Sequence, residues 1–229
     1  MHPYVNFLEN ISCWFLCLKI AEMFEQSLGK INRFAIVIER QIFIIAGCNG
    51  AGKTTMVKNL LPQFIPIEQF INADEIAAGM SPFHPSSMAI EAGRWMLKCI
   101  HDQLNKKESF AFETTLATKS YARWIAKAQK EGYQANLLFL WLSDVEMAKQ
   151  RVQRRVKEGG HDIPTAVIER RYRSGTQNFF ELYLPIMDQI IVIDNSNGVD
   201  AIIAKQTAHR QLQIIHEGKW KEMMQYGRK

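Results

Sequence analysis

The chain has 229 residues, enough for one substantial domain with a full core. With 47% hydrophobic and 22% charged residues it has the composition of an ordinary folded protein, and a chain this long does not depend on a disulfide framework. A formal charge of +5 and a pI near 9.0 suit a chain that handles phosphates, but they do not by themselves indicate nucleic-acid binding.

The four cysteines, Cys13, Cys17, Cys48 and Cys99, form no C-x-x-C pair, so no zinc site is expected and reduced thiols in a cytoplasmic protein are. At the N-terminus, "ISCWFLCL" (11–18) is apolar but far shorter than the roughly 20 residues of a membrane span. No Lys or Arg precedes it, and no small-residue cleavage site follows. Residues 1–35 therefore read as an amphipathic, helical N-terminal extension without chemistry. Met23 offers a second start, and residues 36–229 form the domain proper.

From there strands and helices alternate. "QIFIIAG" (41–47) reads as a buried strand ended by glycine, with a helix from about Lys53. "QFIN" (69–72) is a short strand, followed by a helix from about Ser86 to Leu104. "FAFETT" (110–115) is a strand, "KSYARWIAKAQKEG" a helix closed by Gly132, and "NLLFLWL" (136–142) a strand. "VEMAKQRVQRRVKEGG" and "TAVIERRYRSGTQNFFELY" are helices, "QIIVIDN" (189–195) is the last strand, and a helical tail follows. Such alternation predicts an α/β fold with a parallel sheet covered on both faces. No repeat and no low-complexity linker divides it.

Gly47-x-x-x-x-Gly52-Lys53-Thr54 is a Walker A pattern in its required setting, a strand before and a helix after. Glycines let successive N–H groups of residues 47–55 (Gly47, Cys48, Asn49, Gly50, Ala51, Gly52, Lys53, Thr54, Thr55) turn inward as an anion nest, and the helix N-terminus adds partial positive charge. Lys53 is placed for the β- and γ-phosphates of ATP and the Thr54 hydroxyl for Mg²⁺.

In a parallel sheet the ligand lies at the carboxyl ends of the strands, which brings forward Asp74, Glu113, Asp144 and Asp194. Ser143 and Glu146 form an S-x-x-E capping box, which is preferred to a Walker B role for Asp144, and Asp194 begins the turn "DNSNG". Asp74 in "NADEIA" is either a helix cap or a catalytic carboxylate. "FETT" brings an acid and two hydroxyls to a strand end, as an acceptor site requires. Arg151, Arg154 and Arg155 share one helical face, and Arg170, Arg171 and Arg173 follow the Gly159-Gly160 hinge. Two arginine-bearing helices about a glycine hinge predict a lid that closes over phosphates.

Taken together, "IIAGCNGAGKTT", "INADEIA", "EAGRWML", "FAFETTLATKSYARWIAKAQKEGY", "RVQRRVKEGGHDIPTAVIERRY" and "IDNS" resemble the zeta-toxin-like family of P-loop kinases over about residues 40–196. The resemblance implies a five-stranded parallel sheet of order 2-3-1-4-5 with a helical lid. It implies transfer of phosphate from ATP to the 3′-hydroxyl of the sugar of UDP-N-acetylglucosamine, with Mg²⁺ as cofactor and, in some members, an antitoxin protein as partner. Lys53 and Thr54 then match the ATP and Mg²⁺ positions and Asp74 the general base. Glu113 and Thr115 match the Glu-x-Thr that holds the sugar nucleotide, with Glu91 and Arg94 as possible counterparts of further substrate contacts. Arg154 or Arg155 resembles the lid arginine. "GGHDIP" stands where the toxins carry another lid arginine, which leaves Arg170 or Arg171 to replace it. A kinase for another sugar, a nucleoside or a nucleic-acid hydroxyl is the next reading, and an ATPase without acceptor the third. No "LSGGQ"-like signature supports an ABC-type ATPase, and no membrane or nucleic-acid partner is expected.

Overall fold

A computed structural model of the chain describes residues 40–64, 67–160, 162–196, 201–207 and 211–227, with side chains from 59 to 64 excepted. The N-terminal extension and His161 lie outside the described residues.

Strand β1 (Arg40–Gly47) leads through the glycine-rich loop into α1 (Lys53–Phe64). Then come β2 (Phe70–Ile71), α2 (Ala73–Met80), a 3₁₀ turn (Pro85–Met88), α3 (Ala89–Lys106) and β3 (Phe110–Thr114). Helix α4 (Ser120–Lys130), β4 (Tyr133–Trp141), α5 (Val145–Lys157) and α6 (Thr165–Asn178) follow, α6 running into a π turn at Phe179–Tyr183. The chain closes with β5 (Gln189–Asp194), β6 (Ala201–Gln206), β7 (Gln213–Ile214) and α7 (Glu217–Gly227).

The strands form one sheet of order β2-β3-β1-β4-β5-β6-β7. The first five are parallel and in the expected order. The expectation of five strands and a helical tail needs correction: β6 runs antiparallel to β5 and β7 antiparallel to β6. The segment "AIIAKQ" holds a β-branched pair, Ile202 and Ile203, and Ile203 is fully buried, so it satisfies the open edge of β5 rather than coiling into a helix. Helix α2, allowed for by the reading of Asp74 as a helix cap, is short and follows β2 after Asn72.

Side-chain alternation along the strands makes two cores. Ile42, Ile44, Phe110, Phe112, Leu137 and Phe139 face α3, α4 and α7 on one side of the sheet. Phe43, Ile45, Ala111, Leu138 and Leu140 face α1, α5 and α6 on the other. Most of these side chains are almost wholly buried, each worth about 1.5–3 kcal/mol relative to exposure for the larger ones. Among the described residues, no helix is long and apolar enough to cross a membrane.

Candidate active site

The glycine-rich loop is held from both sides. Gly47, Gly50 and Gly52 all have positive φ. Gly50 shows why glycine is needed: at φ +80°, an added Cβ would also lie 2.8 Å from the Ala148 carbonyl of α5. The Ala51 N–H donates to the Cys48 carbonyl at 3.2 Å, which closes the turn, and Asn49 is buried within it. Burial also pushes the Cys48 thiol up to about 11, against the pull of Lys53 and Arg151. Thr55 is exposed on the first turn of α1.

Lys53 is buried, donates from Nζ to the Cys48 carbonyl at 3.0 Å, and lies 3.5 Å from Glu113 Oε1. The Thr54 hydroxyl donates to Glu113 Oε2 at 3.0 Å, and Asn72 Nδ2 donates to the same oxygen at 3.1 Å. Glu113 therefore sits at the floor of the phosphate loop. The cause is local: β3 pairs with β1 so that Glu113 lies opposite Ile45, and the strand period puts it on the Ala111 face, toward α1. That alternation of Phe110 and Phe112 against Ala111 and Glu113 is a signal the sequence already carried.

Asn72, not Asp74, caps α2. Its Oδ1 accepts from the Asp74 N–H at 2.8 Å, so the exposed Asp74 carboxylate is not used in capping. The cap expected at Ser143 moves one residue as well. Asp144 is the N-cap of α5 and accepts from the Glu146 N–H at 3.0 Å, while the Ser143 N–H donates to Ser196 Oγ.

The arginines sort by position. Arg171 of α6 donates from Nη1 to Asn49 Oδ1 at 3.3 Å, across the mouth of the loop. Burial draws its guanidinium down from its ordinary value, while the nearby Asp74 carboxylate opposes that shift. Arg170 is exposed. Arg154 points to solvent, with Nε bonded to Glu158 at 3.0 Å on its own helix. Arg155 is half-buried and lays its stem against Gly160. Arg151 donates to the carbonyls of Gly50, at 3.5 Å, and Ser196, at 2.9 Å. Lys149 ties α5 to α6 by pairing with Glu146 and Glu169.

Glu91 and Arg94 pair with each other at 3.1 Å on the surface of α3. Thr115 lies in the loop after β3, whose next residue, Leu116, is buried at φ +56°. Helix α6 rests directly on this loop: a Cβ on Gly175 would fall 2.2 Å from the Thr115 carbonyl, and Asn178 Nδ2 donates to the Leu116 carbonyl at 2.8 Å. Arg171, Gly175 and Asn178 fall at i, i+4 and i+7, so one face of α6 meets both the phosphate loop and the loop after Glu113.

Among the described residues the arrangement thus offers a glycine-rich turn, a buried lysine, a hydroxyl joined to a carboxylate, and an arginine bonded to Asn49 of the turn. Thr54 and Glu113 supply hard oxygen donors of the kind Mg²⁺ takes, so the residues present fit that ion.

Comparison with known proteins agrees. The chain matches an uncharacterized protein of Haemophilus influenzae at 29% identity over 136 residues, covering 59% of this chain and 95% of that protein. A crystal structure of AvrRxo1-ORF1:AvrRxo1-ORF2 with sulphate ions is similar in fold, at TM-score 0.66 and 14% identity, over 97% of this chain and 73% of that one. The PezAT chromosomal toxin-antitoxin system of Streptococcus pneumoniae gives TM-score 0.55 and 17% identity over 92% and 93% of the two chains. The Zeta toxin family model matches residues 34–206. The chain belongs to the zeta-toxin family of P-loop kinases and is a phosphotransferase acting on hydroxyl groups.

Proposed function

We propose that the protein transfers the γ-phosphate of ATP to a hydroxyl of a small molecule, with the 3′-hydroxyl of the sugar of UDP-N-acetylglucosamine as lead acceptor. The observation that carries this reading is the Lys53–Glu113–Thr54 cluster under the glycine-rich loop, with Arg171 bonded to Asn49 of that loop.

Lys53 would exchange the Cys48 carbonyl for the β- and γ-phosphate oxygens and neutralise their charge. Thr54 and Glu113 would hold Mg²⁺, which supplies further neutralisation of the phosphate oxygens. Asp74 takes the proton of the accepting hydroxyl as its oxygen bonds to the γ-phosphorus and the bond to ADP breaks. Arg171 stabilises charge on the phosphoryl group in transit. In this reading Glu113, which the resemblance assigns to the sugar nucleotide, serves the phosphate and metal side instead, a role supported by its bond from Thr54 and its nearness to Lys53, and Thr115 serves the acceptor.

The self-paired, outward Glu91 and Arg94 favour a second reading, a kinase for another hydroxyl. An antitoxin partner is part of the first reading, supported by the likeness to PezAT.

The test is incubation with ATP, Mg²⁺ and a panel of sugar nucleotides, sugars and nucleosides, followed by mass spectrometry for a gained phosphate. A Lys53→Ala protein serves as control and is expected to be inactive. ATP hydrolysis that is equal with and without every acceptor overturns the kinase reading.

A further inference from the structure

Helix α7 lies beyond the residues matched by the family model, yet it is linked to the phosphate loop through the turn after β5. Lys219 of α7 pairs with Asp194 at the end of β5, a carboxylate only 3% exposed. The other oxygen of Asp194 accepts from the Ser196 N–H at 2.9 Å and from the Ser196 hydroxyl. Ser196 Oγ accepts from the Ser143 N–H at 2.8 Å, and its carbonyl accepts from Arg151. The turn so fixed carries Asn195, whose Nδ2 donates to the Ala51 carbonyl at 2.9 Å and lies 2.6 Å from where a Cβ on Gly52 would be.

The packing of α7 does not require this pair. Trp220 and Met223 already bury its apolar face, with Trp220 against Phe179 and Phe180 and Tyr226 edge-on to Tyr172. A desolvated charge pair contributes little net stability compared with apolar residues of the same volume. What it does provide is a carboxylate held in one orientation, and through it a fixed turn from Asp194 to Ser196. In a trans peptide the carbonyl and the following N–H point opposite ways. Gripping the Ala51 carbonyl from outside therefore aims the Gly52 N–H toward the nest.

We infer that Lys219 is a positioning residue for the ATP site, acting through Asp194, Asn195 and Ser196 on the carbonyls of Ala51 and, by way of Arg151, Gly50. The inference rests on the reading of the loop as an ATP site. A part of the chain outside the family match thus sets nucleotide affinity.

The experiment is calorimetric titration of the full chain with a β,γ-imido ATP analogue in Mg²⁺ buffer, with melting temperatures measured alongside. Lys219→Met keeps the aliphatic stem and removes the charge; it is expected to raise Kd on the order of 10-fold. Lys219→Arg keeps the charge and is expected to restore affinity to within about threefold of wild type. Should Lys219→Met fail to fold around an uncompensated Asp194, the double variant Lys219→Met with Asp194→Asn removes both charges and is expected to show the same loss of affinity. A folded double variant with wild-type Kd overturns the inference. So does a Lys219→Arg protein as weak as Lys219→Met. A wild-type protein that binds no analogue overturns the ATP reading itself and with it the role of Lys219; tight wild-type binding beside unchanged variants overturns the role of Lys219 alone.

Discussion

The Thr54 hydroxyl and the Glu113 carboxylate, 59 residues apart in sequence, are joined by a 3.0 Å hydrogen bond beneath the phosphate loop. Glu113→Gln keeps the size of the side chain but replaces one acceptor oxygen with a donor facing Lys53, Thr54 and Asn72. We expect kcat to fall on the order of 10- to 100-fold and the Mg²⁺ concentration for half-maximal rate to rise, while acceptor KM changes little. Initial rates over a Mg²⁺ series decide the matter. A change confined to acceptor KM would return Glu113 to the sugar-nucleotide site.

The arginines of α5 and α6 should separate. Arg171→Ala removes the guanidinium that bonds Asn49 and is expected to lower kcat on the order of 10²-fold. Arg154→Ala removes only a solvent-facing pair with Glu158 and should stay within about twofold of wild type. Steady-state kinetics on both proteins provide the comparison; equal losses would mean that the lid brings Arg154 to the phosphates.

Asp74 is relieved of capping by Asn72, and the proposed mechanism gives its carboxylate the proton of the acceptor. Asp74→Asn should depress kcat on the order of 10²- to 10⁴-fold with binding of the ATP analogue nearly unchanged. Pairing single-turnover rates with calorimetry separates the two quantities, and normal turnover would move the general base to another carboxylate.

Gly175 touches the Thr115 carbonyl so closely that no side chain fits. Gly175→Ala must push apart α6 and the loop after β3, at a cost of about 1–3 kcal/mol in stability. Thermal unfolding should show the loss, and acceptor KM should rise more than ATP affinity falls. An unchanged melting temperature would mean that the two segments separate freely.

How much of this was legible follows from the range of each interaction. The glycine-rich loop is contiguous, so its pattern and its strand–helix setting are legible in the sequence, whereas the order of the five parallel strands comes from the family resemblance. The caps were right in kind but one or two residues displaced, at Asn72 and Asp144, because the cap position depends on backbone angles rather than residue type alone. Glu113 could have been oriented from strand alternation, but the resemblance had already given it another task. The contacts of Arg151, Asn195 and Lys219 are out of reach of a sequence reading: each meets its partner through the folded sheet, Asn195 across 144 positions. The strand form of β6 in the expected helical tail depends on the edge that β5 offers, a long-range pairing that local pattern does not show.

The thiol of Cys48 lies inside the phosphate loop, with its titration raised to about 11 by burial. At neutral pH the neutral thiol is then favoured over the thiolate, the form that reacts with oxidants and electrophiles. Burial and the raised titration together predict that Cys48 reacts more slowly than a surface cysteine, and peroxide or alkylating agents should spare activity as long as the loop stays folded. Slow labelling of Cys48 becomes a clock for the opening of the loop itself, readable in a protein to which nothing has been added.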